Sequence, residues 1–118
     1  MLTIRQDQIE IFRQVALSEF EHRMLEHIGK FFPRQIETLG ETGMRELIRH
    51  GIKRAEGYGI IAERDVCKYI DVSVVFGREF DTDSRTSWAS TILRDSALTS
   101  PTDRINRLFE LATRNVGR

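Results

Sequence analysis

The sequence predicts an all-α fold, a compact bundle of about five to six helices led by a long N-terminal helix. Three observations predict it. Apolar residues recur at spacings of three and four along most of the chain, as on one face of a helix. Only two prolines interrupt the 118 residues. One segment alternates like a strand, but nothing elsewhere is patterned to pair with it, and a lone strand leaves its backbone unsatisfied. A content of 40% hydrophobic and 31% charged residues suits a folded chain and not a disordered one. The length fits a single domain over residues 1–118, large enough to bury a core without staples. No linker or internal repeat divides it.

The first helix is predicted from Ile4 to about Lys30. Thr3 is placed as its N-cap with Gln6 completing a capping box, and Asp7 falls in the first turn, where the helix dipole favours an acid. Ile9, Phe12, Ala16, Phe20, Met24, Ile28 and Phe31 form its main stripe. Ile11, Val15, Leu17 and Leu25 lie off that stripe, so the helix is packed from more than one side or meets a partner. Pro33 opens a short helix that stops at Gly40. A third helix, Glu41 to Glu56, turns Met44, Leu47, Ile48, Gly51, Ile52 and Ala55 inward. A glycine at position 51, mid-helix, disfavours the helix by about 1 kcal/mol relative to alanine, which close packing against another helix explains. Gly57 and Gly59 around Tyr58 read as a helix stop and a tight turn.

The segment after this turn carries two periodicities. Ile70, Val72, Val74 and Phe76 alternate with Asp71 and Ser73, as in a strand. Val66, Tyr69, Ile70 and Val74 keep helical spacing, with Glu63 and Asp65 in a first turn and Gly77 at the end. The helix is preferred, buried and apolar most of the way round. Residues 78–84 read as a loop, with Asp83 or Ser84 capping a short helix that carries Trp88, Ala89, Ile92 and Leu93. Ser100-Pro101-Thr102-Asp103 is a strong helix start, and Ile105, Leu108, Phe109 and Ala112 make the last helix amphipathic before a fraying tail from Arg114.

Charge narrows the function classes. The 18 basic and 18 acidic residues cancel, and each half of the chain balances by itself. Nucleic-acid binding draws on a basic surplus to displace counterions, and none is present. One cysteine, Cys67, forms no intrachain disulfide, which fits a reducing compartment. The start, MLTIRQDQIE, lacks the layout of a signal peptide, and no apolar run approaches the ~20 residues of a membrane span. A cytoplasmic location is the simplest expectation.

Candidate chemistry is thin, and no catalytic, cofactor-binding or metal-binding residue is assigned from spacing. Glu19 and His22 make one Glu-x-x-His pair, where a di-iron bundle needs two. A calcium loop begun at Asp81 would place Thr86 and Ile92 where glycine and glutamate are required. His22, His27 and His50 do not flank Cys67 at zinc-like spacing, and the serines and glycines match no nucleophile elbow or phosphate loop. A small enzyme built on Cys67 and a histidine is retained as an alternative, testable by thiol labelling of the native protein. Arg104, Arg107 and Arg114 put positive charge on the last helix, diluted by Asp103 and Glu110.

The pattern Gly51-Ile52-x-Arg54-Ala55-x-x-Tyr58-Gly59-Ile60, then Glu63, Val66 and Tyr69, then Gly77, Phe80-Asp81 and Trp88-Ala89, with Phe31-Phe32-Pro33 upstream, resembles a group of small helical bacterial proteins. Their genes often lie beside type VI secretion effectors, spike-tip proteins and effector chaperones. The resemblance covers most of the chain and rests on structural residues. It implies a non-enzymatic adaptor or co-chaperone that binds an effector or its chaperone, and it supplies no active site. The residues also read physically. Arg54 and Glu63 flank the Tyr58-Gly59 turn and are placed to pair across it, Asp81 and Asp83 to cap the next helix, and Trp88 to fill core, where its replacement by alanine removes about 3–5 kcal/mol. Ile11, Leu17 and Leu25 are the expected protein interface, since exposed apolar patches mark binding sites. An immunity protein that blocks a toxin is the other binding alternative, weakly disfavoured by the even charge.

Overall fold

The computed structural model describes residues 6–116, and every regular element among them is helical. The helices are α1 (Gln6–Phe31), α2 (Pro33–Gly57), α3 (Glu63–Phe76), α4 (Ser87–Leu93) and α5 (Pro101–Asn115), with a 3-10 turn at Ser84–Thr86 before α4. The Thr3 capping box and the Asp7 side chain lie outside the described residues.

α2 is two helical segments meeting at Gly40, whose φ of 76° breaks the helix where the sequence predicts a stop. A side chain there would be strained, so glycine sets the bend. Beyond it, Met44, Leu47, Ile48, Gly51 and Ala55 are buried. α3 is the central helix and resolves the double periodicity in favour of the helix: Val66, Tyr69, Ile70, Val72 and Ser73 are buried on one side, and Cys67, Lys68, Asp71 and Val74 are partly buried on the other. Both readings share Ile70 and Val74, which is why alternation alone misleads for a helix enclosed on several sides. α3 packs against α2 and α5, α1 against α2, and α4 against α5.

At Gly51, α2 lies tight against α3. A Cβ built there would sit 2.9 Å from Cγ1 of Ile70, inside van der Waals contact. At the far end of the fold, Arg104 on α5 donates to the carbonyl oxygens of Leu93 (3.1 Å) and Tyr58 (2.8 Å), satisfying carbonyls at the ends of α4 and α2. Ser100 caps α5 through the Asp103 N–H as expected. Arg114 belongs to α5, which runs to Asn115, and pairs with Glu110; the last residues of the tail lie outside the described residues. Trp88 is half-buried, edge-on to Phe76 with ring centroids 5.2 Å apart. It flanks the core and does not fill it, so the full-burial range expected for its truncation does not apply.

α1 departs most from expectation. Its C-terminal half is anchored by Phe20, Met24, Leu25 and Ile28, all buried. Residues 8–19 are exposed throughout, including Ile9, Phe12 and Ala16 of the predicted stripe, and Arg13 reaches the body through Glu56 of α2 at 3.6 Å. The radius of gyration, 15.5 Å, exceeds the roughly 13.5 Å of a compact chain this long, and the longest extent is 57 Å.

Candidate functional site

Ile11, Phe12 and Val15 are 61%, 68% and 50% exposed. At about 100° per residue they fall within one third of the helix circumference, on the side of α1 opposite Phe20, Met24 and Ile28. The helix therefore changes its apolar face midway: residues 20–28 point into the body, and residues 11–15 point away from it. Three large apolar side chains thus form one exposed patch over two turns of the helix.

Leu17 lies on the core side of α1, at the edge of the bundle, 38% exposed. With Phe20, Ile52, Ile61 and Val66 it lines an apolar hollow of about 200 Å³ between α1, α2 and the start of α3. A larger groove of about 760 Å³ continues from it along α1 and α2, where Arg13, Arg49 and Lys53 face Glu46 and Glu56. Its mixed charge matches the even composition of the chain and supplies a polar rim. Leu25, expected at the interface with Ile11 and Leu17, is instead 9% exposed and part of the core. It shares the inward face of α1 with Met24 and Ile28, a consequence of that face being rotated from the predicted stripe.

Ionic contacts fix how α1 is held. Glu21 is buried and accepts from Arg45 (3.3 Å) and Arg49 (3.0 Å) of α2. Burial pushes its carboxyl up, but the two guanidinium groups outweigh that and hold it below the usual carboxylate range. Arg23 makes a two-pronged pair with Glu63 at 2.9 and 3.1 Å on the surface between α1 and α3. Glu63 is thus taken by Arg23 and not by Arg54, because the first turn of α3 faces α1. Arg54 turns the other way. Its Nε donates to Asp81 Oδ2 at 2.9 Å, and the Tyr58 hydroxyl donates to the same oxygen at 2.8 Å. Asp81 is fully buried, so it locks the turn after α3 onto α2 and caps nothing. Asp83 does cap, accepting from the Arg85 N–H at 2.9 Å. Gly51, Arg54, Tyr58, Gly59 and Trp88 therefore serve the scaffold. Arg104 is drawn into it as well, and Arg107 and Arg114 both pair with Glu110, which leaves no basic patch among these three arginines.

A second cluster was not visible in the spacing. His27 of α1 meets Cys67 and Asp71 of α3, and one ligand atom from each lies within 4.8 Å of the others. His27 Nε2 contacts both Asp71 oxygens, at 2.9 and 3.1 Å. The only sequence signal is that Cys67 and Asp71 are four apart, hence on one face of a helix; the histidine comes from 40 residues earlier in the chain. Burial pushes the Asp71 carboxyl up against the opposing pull of His27. Burial, with the Asp71 charge adding to it, pushes the Cys67 thiol up to about 11. A thiol in that range is protonated at neutral pH, the reverse of an activated nucleophile. Native Cys67 is accordingly expected to react with a thiol label at pH 7 far more slowly than in the denaturant-unfolded chain. Equal rates would revive the Cys/His enzyme.

No helix of the described residues is long and apolar enough to cross a membrane. Comparison with protein-family models, with curated proteins and with solved structures finds no match.

Proposed function

We propose that this chain is a non-enzymatic protein-binding module, a cytoplasmic adaptor or co-chaperone that docks a partner on the bare half of α1. The observation that carries the reading is the outward stripe of Ile11, Phe12 and Val15. Large apolar side chains left in water on a rigid helix favour association by about 25 cal/mol per Å² removed from solvent. The rest of α1 is tied to the body by Glu21, Arg23 and His27, so the docking half is presented by a fixed base. Preorganisation of this kind lowers the entropy lost on binding. The resemblance of residues 51–89 and 31–33 to helical proteins encoded beside type VI secretion effectors narrows the proposed partner to an effector or its chaperone.

The test is affinity capture of the full chain from native lysate, with partners identified by mass spectrometry and confirmed by co-elution. Recovery in stoichiometric amount of an effector, spike component or effector chaperone is expected. Phe12→Asp, which places a charge at the centre of the stripe, should abolish recovery while leaving the melting temperature unchanged, because Phe12 makes no core contact. Capture of a toxin domain alone would replace the adaptor reading with that of an immunity protein. Unimpaired capture by the Phe12→Asp variant would move the interface off α1.

A further inference from the structure

We propose that His27, Cys67 and Asp71 form a three-ligand site for a divalent cation of the zinc class, clamping α1 to α3. This goes beyond the docking reading and does not rest on it. The donor set is one imidazole nitrogen, one sulfur and one carboxylate oxygen, within 4.8 Å of one another. Mixed nitrogen, sulfur and oxygen donors suit Zn²⁺ or Co²⁺, whereas Ca²⁺ and Mg²⁺ take oxygen donors. The three residues are partly buried, on the rigid interiors of two helices, and the rings of Phe31 and Phe32 flank His27 with centroids 5.0 and 6.5 Å away.

The geometry asks for little rearrangement. Zinc–ligand distances of about 2.0–2.3 Å give ligand-to-ligand edges of about 3.4 Å in a tetrahedral site. His27 Nε2 and Asp71 already stand 2.9 Å apart, so the ion enters in place of the proton they share, and that pair opens by about half an ångström. The sulfur draws in by at most about 1.4 Å. Coordination displaces the thiol proton to solvent, and the proton between Nε2 and Asp71 leaves to solvent or moves to Nδ1, so the ion is held by a thiolate, a neutral imidazole and a carboxylate. Three protein ligands leave a fourth position to water or to an external donor.

The experiment is a titration of the full-length, chelator-treated protein with Co²⁺, followed by absorbance, then displacement with Zn²⁺. One equivalent is expected to produce the near-ultraviolet sulfur-to-cobalt charge-transfer band together with visible bands of a tetrahedral centre, both erased by Zn²⁺. Cys67→Ser should lose the charge-transfer band, and His27→Gln should weaken Co²⁺ binding at least tenfold. Zn²⁺ should raise the melting temperature of the native chain and not that of Cys67→Ser, whose fold is checked by circular dichroism. The Phe12-dependent capture of a partner should survive Cys67→Ser, which separates this proposal from the docking one. Absence of the charge-transfer band in the native protein overturns the site. So does a band whose affinity is unchanged in His27→Gln, since that would be a cysteine binding cobalt alone.

Discussion

Replacing Arg54 by Met is expected to lower stability by about 3–5 kcal/mol, the effect of leaving one member of a buried ion pair without the other. Asp81 is 0% exposed and directs Oδ2 at two donors, Arg54 Nε and the Tyr58 hydroxyl. Met keeps much of the arginine's length and apolar contact, so the loss isolates the charge. Without the guanidinium, the buried Asp81 carboxylate keeps only the Tyr58 hydroxyl as a donor. For a chain of this size the melting temperature should fall by on the order of 10–20 °C. Tyr58→Phe removes the weaker donor and should lower stability by only about 1–2 kcal/mol. If the two variants melted alike, the ion pair would not be the stronger of the two ties. The double variant Arg54→Met/Asp81→Leu should recover much of the loss, because an apolar pair removes the uncompensated charge.

Much of the scaffold is legible in the sequence, for reasons that can be named. Pro33, Gly40 and Ser100-Pro101 act through the local backbone, so their meaning survives without knowledge of the fold. Gly51 is legible because a glycine inside a good helix needs a packing reason. The partner of Arg54 is not. Glu63 and Asp81 are both acids at reachable sequence distance, and only the direction in which α3 leaves the Tyr58-Gly59 turn decides that Glu63 meets Arg23 and Asp81 meets Arg54.

The site is legible more unevenly. Surplus apolar residues on α1 show that the helix is not covered on one face alone, and Ile11 and Leu17 are exposed. Leu25 has the same chemistry and is core, since where the body stops covering α1 is a property of tertiary packing and not of periodicity. The His27–Cys67–Asp71 cluster is less legible still. It joins two helices far apart in sequence, and short-range spacing rules detect ligands carried on one turn or hairpin.

Ile70→Ala should cost about 2–5 kcal/mol, since Ile70 is 0% exposed at the crossing of α2 and α3 and its truncation leaves a cavity there. Gly51→Ala should also destabilise. The added methyl gains about 1 kcal/mol of helix propensity but meets Ile70 Cγ1 at 2.9 Å, and overpacking a tight core typically costs about 1–3 kcal/mol. Ile70 yields poorly: its Cγ1 is next to the stiff, branched Cβ and its own Cα is 3.9 Å from the new methyl. The two changes are not independent, because the alanine at position 51 occupies part of the space that Ile70→Ala vacates. The double variant is therefore expected to be more stable than the sum of the single losses predicts, by about 1–2 kcal/mol, measured by urea denaturation of all four proteins. Strict additivity would mean that α2 and α3 do not touch at this pair. A coupling of the expected sign would fix the helix crossing at Gly51, and with it the position of the α3 face that carries Cys67 and Asp71 toward α1.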